Sequence, residues 1–370
     1  SVLRDATVLL AEITHVDLAA RRVHVDGSDS ISYDFLIVAT GAETNYFGQE
    51  EWAKHALGMK TIDDAIEIRR RVLLAFEAAE RETDAGARRR LLTFVIIGGG
   101  PTGVEVAGAL TELGRFVLAE NFHQARAERL HVVLVEMGKR LLAGGFDEGL
   151  AEAAKVDLTR LGVDVRLGAR VTGIDDRGVD LDGERLDAST ILWTAGVRAK
   201  ALPSTFGVEL DRGGRVKVNP DCSIPGHPEV FVLGDAASFV PEGQDRSLPG
   251  VSPVAMQQAR FVAALIGRRV EGETGAAVFH YLDKGLMAAI GRSKAVAQIG
   301  RLRLRGLLAW LAWLLVHIWY LIGFRNRIVV LFNWAWNYFT YKRGARLITG
   351  ERSAQRALEL ARRAERSDSD

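Results

Sequence analysis

The sequence predicts an α/β fold in two parts, one inserted in the other, followed by a helical C-terminal region. Three observations carry this: a glycine-rich turn inside a strand–helix–strand unit, two similar apolar strand ends flanking that unit, and an uncharged tryptophan-rich run near the C-terminus. The 370 residues are 48% hydrophobic and 26% charged, which suits two or three globular domains. That composition excludes a disordered chain, a collagen-like repeat and a small disulfide scaffold. Cys222 is the single cysteine, so no intramolecular disulfide or redox pair can form, and it is expected to pack as a small hydrophobe.

The net charge of +1 conceals two populations. Between Lys284 and Gly350 there is no Asp or Glu but there are eleven Lys and Arg, which leaves the rest of the chain at −10. Five of the seven Trp and three of the six Tyr fall between residues 310 and 341 of the same stretch. Basic, aromatic and apolar residues together are what a membrane-surface segment needs.

In chain order, Thr7–Ile13, Arg22–Asp26 and Phe35–Ala39 read as short strands, with Asp26-Gly27 as a turn. The third is an apolar run, expected to be a buried parallel strand, stopped at Thr40-Gly41. A helix is expected from Thr61 to about Glu82, because Thr61 and Asp64 form a capping box and Ile62, Ile66, Leu73 and Phe76 recur at helical spacing. Leu91–Ile97 is a buried strand running into Gly98-Gly99-Gly100-Pro101-Thr102-Gly103. A helix from Pro101 to about Leu118 follows, then the strand His131–Val135 ending at Glu136.

This strand–turn–helix–strand context makes G-x-G-x-x-G a dinucleotide-binding signature, and the domain Rossmann-like. Gly98 allows the tight turn, Gly100 lets the backbone approach a pyrophosphate, and Gly103 lets the helix pack on the strand. The helix N-terminus then supplies N–H groups and a positive dipole end. Glu136 is expected to accept hydrogen bonds from ribose hydroxyls, which favours NAD(H). It lies 33 residues after Gly103, beyond the usual ~20, and the polar stretch Glu120–Arg129 absorbs the difference.

Ala39-Thr40-Gly41 and Thr194-Ala195-Gly196 each close an apolar strand, one before and one after the complete nucleotide fold. The pair predicts two dinucleotide-binding domains, one inserted in the other. A third strand, Val230–Leu233, delivers Gly234-Asp235 to its carboxyl end, where open α/β sheets bind ligands. Downstream, a helix starts at Pro253 and runs to about Leu265.

These motifs together resemble the two-domain dinucleotide-binding flavoproteins, and among them the type II NADH:quinone oxidoreductases. The matching segments are Tyr33–Gly48, Val95–Gly108, Thr194–Ala199, Val254–Gln257 and His280–Arg292, together with the aromatic C-terminal region. The resemblance implies FAD on the outer domain, NADH on the inserted one, hydride transfer from nicotinamide to flavin, and electron transfer to a membrane quinone without proton pumping. It divides the chain into residues 1–60 and 199–290 for FAD, 61–198 for NADH, 291–350 for the membrane-associated region, and a polar tail at 351–370.

Carried over position by position, the resemblance places Glu105 near the nicotinamide and Gln257 at the quinone head group, the two catalytic candidates. Thr40 and Gly41 line the FAD site, Asp235 serves its ribityl–phosphate region, and Val254 starts a helix aimed at the flavin pyrimidine. Gly196 and Gly234 are counted with the cofactor-binding positions, and no metal is expected. The chain departs from the family at Pro253, where Gln is common. It also lacks the family's first G-x-G-x-x-G, which holds the FAD diphosphate. Ser1 is therefore expected to lie inside a longer gene product, and the chain as given to bind NADH better than FAD.

Gly306–Phe324 is nineteen residues without a charge, a transmembrane candidate by length alone. Ile328–Tyr341 is fourteen residues and too polar for a span. Asn326, Asn333, Asn337 and Thr340 share one helical stripe, with Trp334, Leu331 and Phe339 off it. Surface anchoring on an anionic bilayer, at the cytoplasmic face, is favoured over a spanning hairpin. His317 is expected to be packed or interfacial. No nucleic-acid partner is expected, and a homodimer is admitted. Two other functions stay open: a soluble NADH-dependent flavoprotein reductase of a small redox protein, and a non-catalytic NADH-binding membrane protein without functional FAD.

Overall fold

A computed structural model describes residues 5–26, 30–115, 122, 130–340 and 348. The chain forms two compact units, Ser1–Asn45 with Val197–Lys284, and Tyr46–Gly196 with Gly285–Asp370. The first division falls at Asn45/Tyr46 rather than at residue 60, because Ala56–Gly58 is a strand of the second unit's main sheet. The C-terminal region belongs to that same unit instead of standing alone.

The first unit opens on an antiparallel meander, β1 (Ile13–Asp17), β2 (Arg22–Val25) and β3 (Ser30–Ser32). The strand expected over Thr7–Ile13 is not there: pairing begins only where Ile13 meets Val25. Before it, Val8, Leu9 and Leu10 have no ladder partner and are exposed. Gly27 of the expected turn lies outside the described residues. β4 (Leu36–Val38) follows as an edge strand, with Val38 buried but Ile37 exposed, and β5 (Ala42–Thr44) closes this segment.

The second unit starts with β6 (Ala56–Gly58) and α1 (Ile62–Arg81). The expected capping box is present at its start: Thr61 Oγ1 accepts the Asp64 N–H at 3.1 Å and the Asp64 carboxylate accepts the Thr61 N–H at 2.8 Å. α2 (Ala85–Leu91), capped by Asp84, takes Leu91 out of the expected strand, so β7 runs Thr93–Ile97 and is buried throughout. Next come α3 (Pro101–Leu113), β8 (His131–Glu136), α4 (Glu148–Leu161) and β9 (Val163–Leu167). Past Gly114 and Arg115, the expected continuation of α3 to Leu118 lies outside the described residues, as does all of Glu120–Arg129 save Phe122. A ribbon of β10 (Val171–Ile174), β11 (Gly178–Leu181) and β12 (Glu184–Asp187) leads to β13 (Thr190–Trp193).

Strands β6-β13-β7-β8-β9, in that order, make one parallel sheet. Their β-branched and aromatic side chains are buried on both faces, as a parallel sheet requires. Phe94, Ile96, Val132 and Leu134 face α1, α3 and α4, whereas Val95, Ile97, Val133 and Val135 face the β10–β12 ribbon.

Back in the first unit, β14 (Val197–Ala199) pairs antiparallel with β5. β15 (Val216–Lys217) precedes the hairpin β16 (Ser223–Ile224) and β17 (His227–Val232), and β18 (Ala237–Ser238) returns beside β15. β17 also runs parallel to β4. α5 (Ser252–Val270) packs Val262 and Leu265 against Phe231, Leu233 and Cys222, which is fully buried with its thiol pushed up to about 12 by desolvation.

The C-terminal part of the second unit is an antiparallel sheet, β19 (Leu286–Gly291), β20 (Lys294–Ile299) and β21 (Leu302–Gly306), followed by α6 (Leu307–Trp319) and α7 (Phe324–Thr340). β19 lies directly on α3: an ideal Cβ on Gly108 would stand 1.7 Å from the Ile290 carbonyl oxygen.

Candidate nucleotide site and apolar face

Gly98 turns the chain from β7 into α3 with φ +111°, a conformation L side chains rarely adopt. A side chain there has no room either, since its Cβ would lie 2.6 Å from Ala195 Cα. Gly103 faces back onto the same loop, where a Cβ would fall 1.8 Å from the Gly98 carbonyl oxygen. Gly100 is different: nothing stands within 4 Å of its absent Cβ. The surface there is open at the N-terminus of α3, which carries no side-chain cap. An unobstructed backbone at an uncapped helix N-terminus is what an anionic diphosphate needs.

Glu136, at the end of β8, holds the loop from one side. Its Oε2 accepts the Gly99 N–H at 2.7 Å and its Oε1 accepts the Gly138 N–H at 2.6 Å. Each carboxylate oxygen keeps acceptor capacity for ribose hydroxyls. Thr194 holds the loop from the other side, its hydroxyl lying 2.9 Å from the Ile97 carbonyl oxygen and 3.0 Å from that of Gly98. The sequence marked Thr194 only as a strand stop, but its hydroxyl is a support of the glycine turn.

Glu105 sits in the first turns of α3, where the carboxyl accepts the Ala289 N–H at 3.1 Å. Burial pushes its pKa up; the Ala289 hydrogen bond and the nearby His317 and Trp313 pull it back in part. The Trp313 indole nitrogen is itself buried without a hydrogen-bond partner of good geometry. His317 is exposed, but its ring stacks on Trp313 at 4.1 Å and its Nδ1 lies 2.7 Å from the Trp313 carbonyl oxygen.

In the first unit, Thr40 Oγ1 is buried without a hydrogen-bond partner, and Gly41 has φ +71° with open space beside it. Gly234 begins a single 3-10 turn through Asp235, its N–H donated to Gln258 Oε1 at 2.8 Å. An orphaned hydroxyl and an open glycine at the ends of parallel strands fit a flavin nucleotide here. Val254 lies inside the first turn of α5, buried, with its N–H bonded to the Val251 carbonyl. The N-terminus of α5 carries no side-chain cap.

The structure separates the two glutamines of α5. Gln257 forms a two-way amide bridge with the main chain of Leu282, both contacts 3.0 Å. Gln258 is buried and props the Gly234 turn, a role the sequence reading did not assign. The signal was present: residue 258 shares a helical face with Val254, Val262 and Leu265.

The uncharged run does not make one long helix. α6 has thirteen residues, then the chain turns through Gly323 (φ +81°) into α7. No helix among the described residues is long and apolar enough to cross a membrane. Instead, Leu308, Leu311, Leu315 and Trp319 of α6 and Ile328, Val329, Phe332 and Trp336 of α7 are exposed. The inner sides are pinned by aromatic contacts, Trp313 on Trp334 at 5.6 Å and Trp310 on Tyr338 at 5.3 Å. Of the expected polar stripe, Asn326 and Asn333 are exposed; the Asn337 and Thr340 side chains, like that of Phe339, lie outside the described residues. A separate cavity of about 190 Å³ at the far end of α3, lined by Glu112, Asp157, Arg292 and Lys294 among others, holds the Lys294–Asp157 ion pair and is not part of the Gly98–Gly103 loop.

The family model for the pyridine nucleotide-disulphide oxidoreductases matches residues 3–259, and that for the NDH2 C-terminal domain matches 284–342. These matches define the class: a pyridine nucleotide-disulphide oxidoreductase with an added C-terminal module. The chain is 42% identical to the type II NADH:quinone oxidoreductase NdhA of Mycobacterium tuberculosis, over 99% of this chain and 82% of that protein. It is 41% identical to Ndh of the same organism, over 95% and 78%. The NDH2 structure from Plasmodium falciparum in complex with NADH superposes with a TM-score of 0.83 at 19% identity, over 90% of this chain and 84% of that one, a likeness of fold. The chain belongs to the type II NADH:quinone oxidoreductase family.

Proposed function

We propose that this chain oxidises NADH and reduces a membrane quinone through FAD, without pumping protons, from the surface of the bilayer. One observation carries the reading beyond family membership. Helix α3, which presents the open Gly100 backbone, is also the helix on which the β19–β21 sheet seats, and α6 and α7 with their exposed apolar face continue from that sheet. A soluble reductase of a small redox protein has no use for such a face, and a merely NADH-binding protein has no use for the orphaned Thr40 hydroxyl.

Gly98, Gly100 and Gly103 hold the NADH diphosphate, and Glu136 its adenosine ribose. Thr40, Gly41, Gly234 and Asp235 line the FAD site with Gly196 as a further cofactor position, and the N-terminus of α5 at Val254 faces the flavin pyrimidine. When bound there, FAD would supply the two-electron redox chemistry that links NADH to quinone. Glu105 stands near the nicotinamide with a carboxyl biased toward its neutral form. Gln257 meets the quinone head group only after giving up its bridge to Leu282. The α6–α7 face rests on anionic lipid at the cytoplasmic side, with Arg301, Arg305 and Arg325 available for headgroups. A homodimer is compatible with this arrangement.

The test is NADH oxidation by purified full-length protein with a short-chain quinone and with ferricyanide, beside a visible flavin spectrum. Quinone-dependent turnover with flavin bands is the expected result. A protein with neither flavin bands nor quinone reduction overturns the reading.

A further inference from the structure

The strand order of the second unit lays out a track. β8 ends at Glu136, β7 ends at the Gly98 loop, and β13, on the opposite side of β7, ends at Thr194–Gly196. Strands lie ~4.8 Å apart, so the ends of β8 and β13 are roughly 10 Å apart with the loop between them. A dinucleotide with its ribose at Glu136 and its diphosphate on the loop therefore carries its nicotinamide end beyond β13.

Phe47 stands at that end. Its backbone is left-handed, φ +54°, which a bulky side chain adopts only when its surroundings impose it. The residue is 63% exposed, so burial does not compensate for the strain. The ring is nevertheless held in place. It lies over Gly196, where an ideal Cβ would be 2.6 Å from Phe47 Cζ, and its centroid is 6.4 Å from that of Trp193. Trp193 is in turn fixed by Tyr46 at 5.4 Å and Trp52 at 5.5 Å. Strain kept at an exposed aromatic beside a ligand-binding strand end points to a ligand.

We propose that Phe47 positions the nicotinamide end of NADH, packing against it where the dinucleotide passes beyond β13. The assignment rests on the reading of Gly98–Gly103 as the NADH loop. Gly196 has a part in it, since the absence of a side chain at that position lets the Phe47 ring lie where it does.

ADP-ribose carries the adenosine, diphosphate and second ribose of NADH but no nicotinamide, so it separates this role from general support of the site. Calorimetric titration of the whole protein with both ligands is the test, on wild type, Phe47→Ala, Phe47→Tyr and Gly196→Ala. Phe47→Ala is expected to weaken NADH about five- to tenfold, the scale of one aromatic contact, and to leave ADP-ribose within about twofold. Gly196→Ala, which displaces the ring without deleting it, should do the same, and Phe47→Tyr should keep wild-type affinity. Unchanged NADH affinity in Phe47→Ala, or equal weakening of both ligands, overturns the proposal while leaving the loop reading intact. Wild type that binds neither ligand overturns the loop reading and this proposal with it.

Discussion

At Glu136 one carboxylate accepts N–H groups from Gly99 and Gly138 and still faces the surface where a ribose would sit. Glu136→Ala should therefore raise the NADH KM by about ten- to a hundredfold, as loss of one or two good hydrogen bonds does, and narrow the preference over NADPH. KM values for both nucleotides check it, and an unchanged preference would remove the ribose role. Glu105 yields a pH prediction. Its folded pKa is raised by burial, so between the ordinary carboxylate range and the raised value the folded state binds more protons than the unfolded one. Its contribution to stability is accordingly present at low pH and lost as pH rises through that window. Glu105→Gln should melt higher than wild type at about pH 7 and like wild type at about pH 4. Melting curves across that range decide, and a gain independent of pH would contradict it. Spacing made the glycines and Glu136 legible; the support that Gln258 gives the Gly234 turn was not, because a helix face, not residue type, decides which amide is buried.

Among the elements, α3 has the most demands on it. Its N-terminus continues from the Gly98–Gly103 loop, and Gly108 allows β19 to lie against its backbone. Gly108→Ala forces a Cβ onto the Ile290 carbonyl, and should cost about 1–3 kcal/mol, the usual penalty for overpacking. Hydrogen exchange should report it as faster exchange in β19 and β20, with β8 and β9 unaffected; uniform acceleration would instead mean global destabilisation. Neither contact is readable from the pattern, which shows only a helix rich in small residues. The apolar run after Gly306 was readable as apolar but not as a broken helix. At 1.5 Å per residue, thirteen residues of α6 span ~20 Å against a hydrocarbon core of ~30 Å.

For the whole molecule, the charge asymmetry and the exposed face belong to one surface argument. Replacing Leu308, Leu315, Trp319 and Phe332 together by Ser should abolish sedimentation with anionic vesicles and reduce quinone turnover, while ferricyanide turnover stays near wild type. Raising salt on the unaltered protein should weaken but not abolish binding, because apolar insertion is not screened as headgroup contacts are. Equal losses with both acceptors would argue against the face as the route to quinone.

The sequence by itself determined the inserted nucleotide fold, its glycine loop and its acidic partner, because each depends on spacing within a few dozen residues. It also determined the basic, aromatic character of the C-terminal region, a property of composition. Tertiary structure alone decided that this region packs into the nucleotide-binding unit through Gly108 and Ile290, that Gln258 supports the Gly234 turn, and that Phe47 lies over Gly196. Those are contacts between residues roughly 25 to 180 positions apart, where pairing depends on how whole surfaces fit and periodicity carries no record of the match.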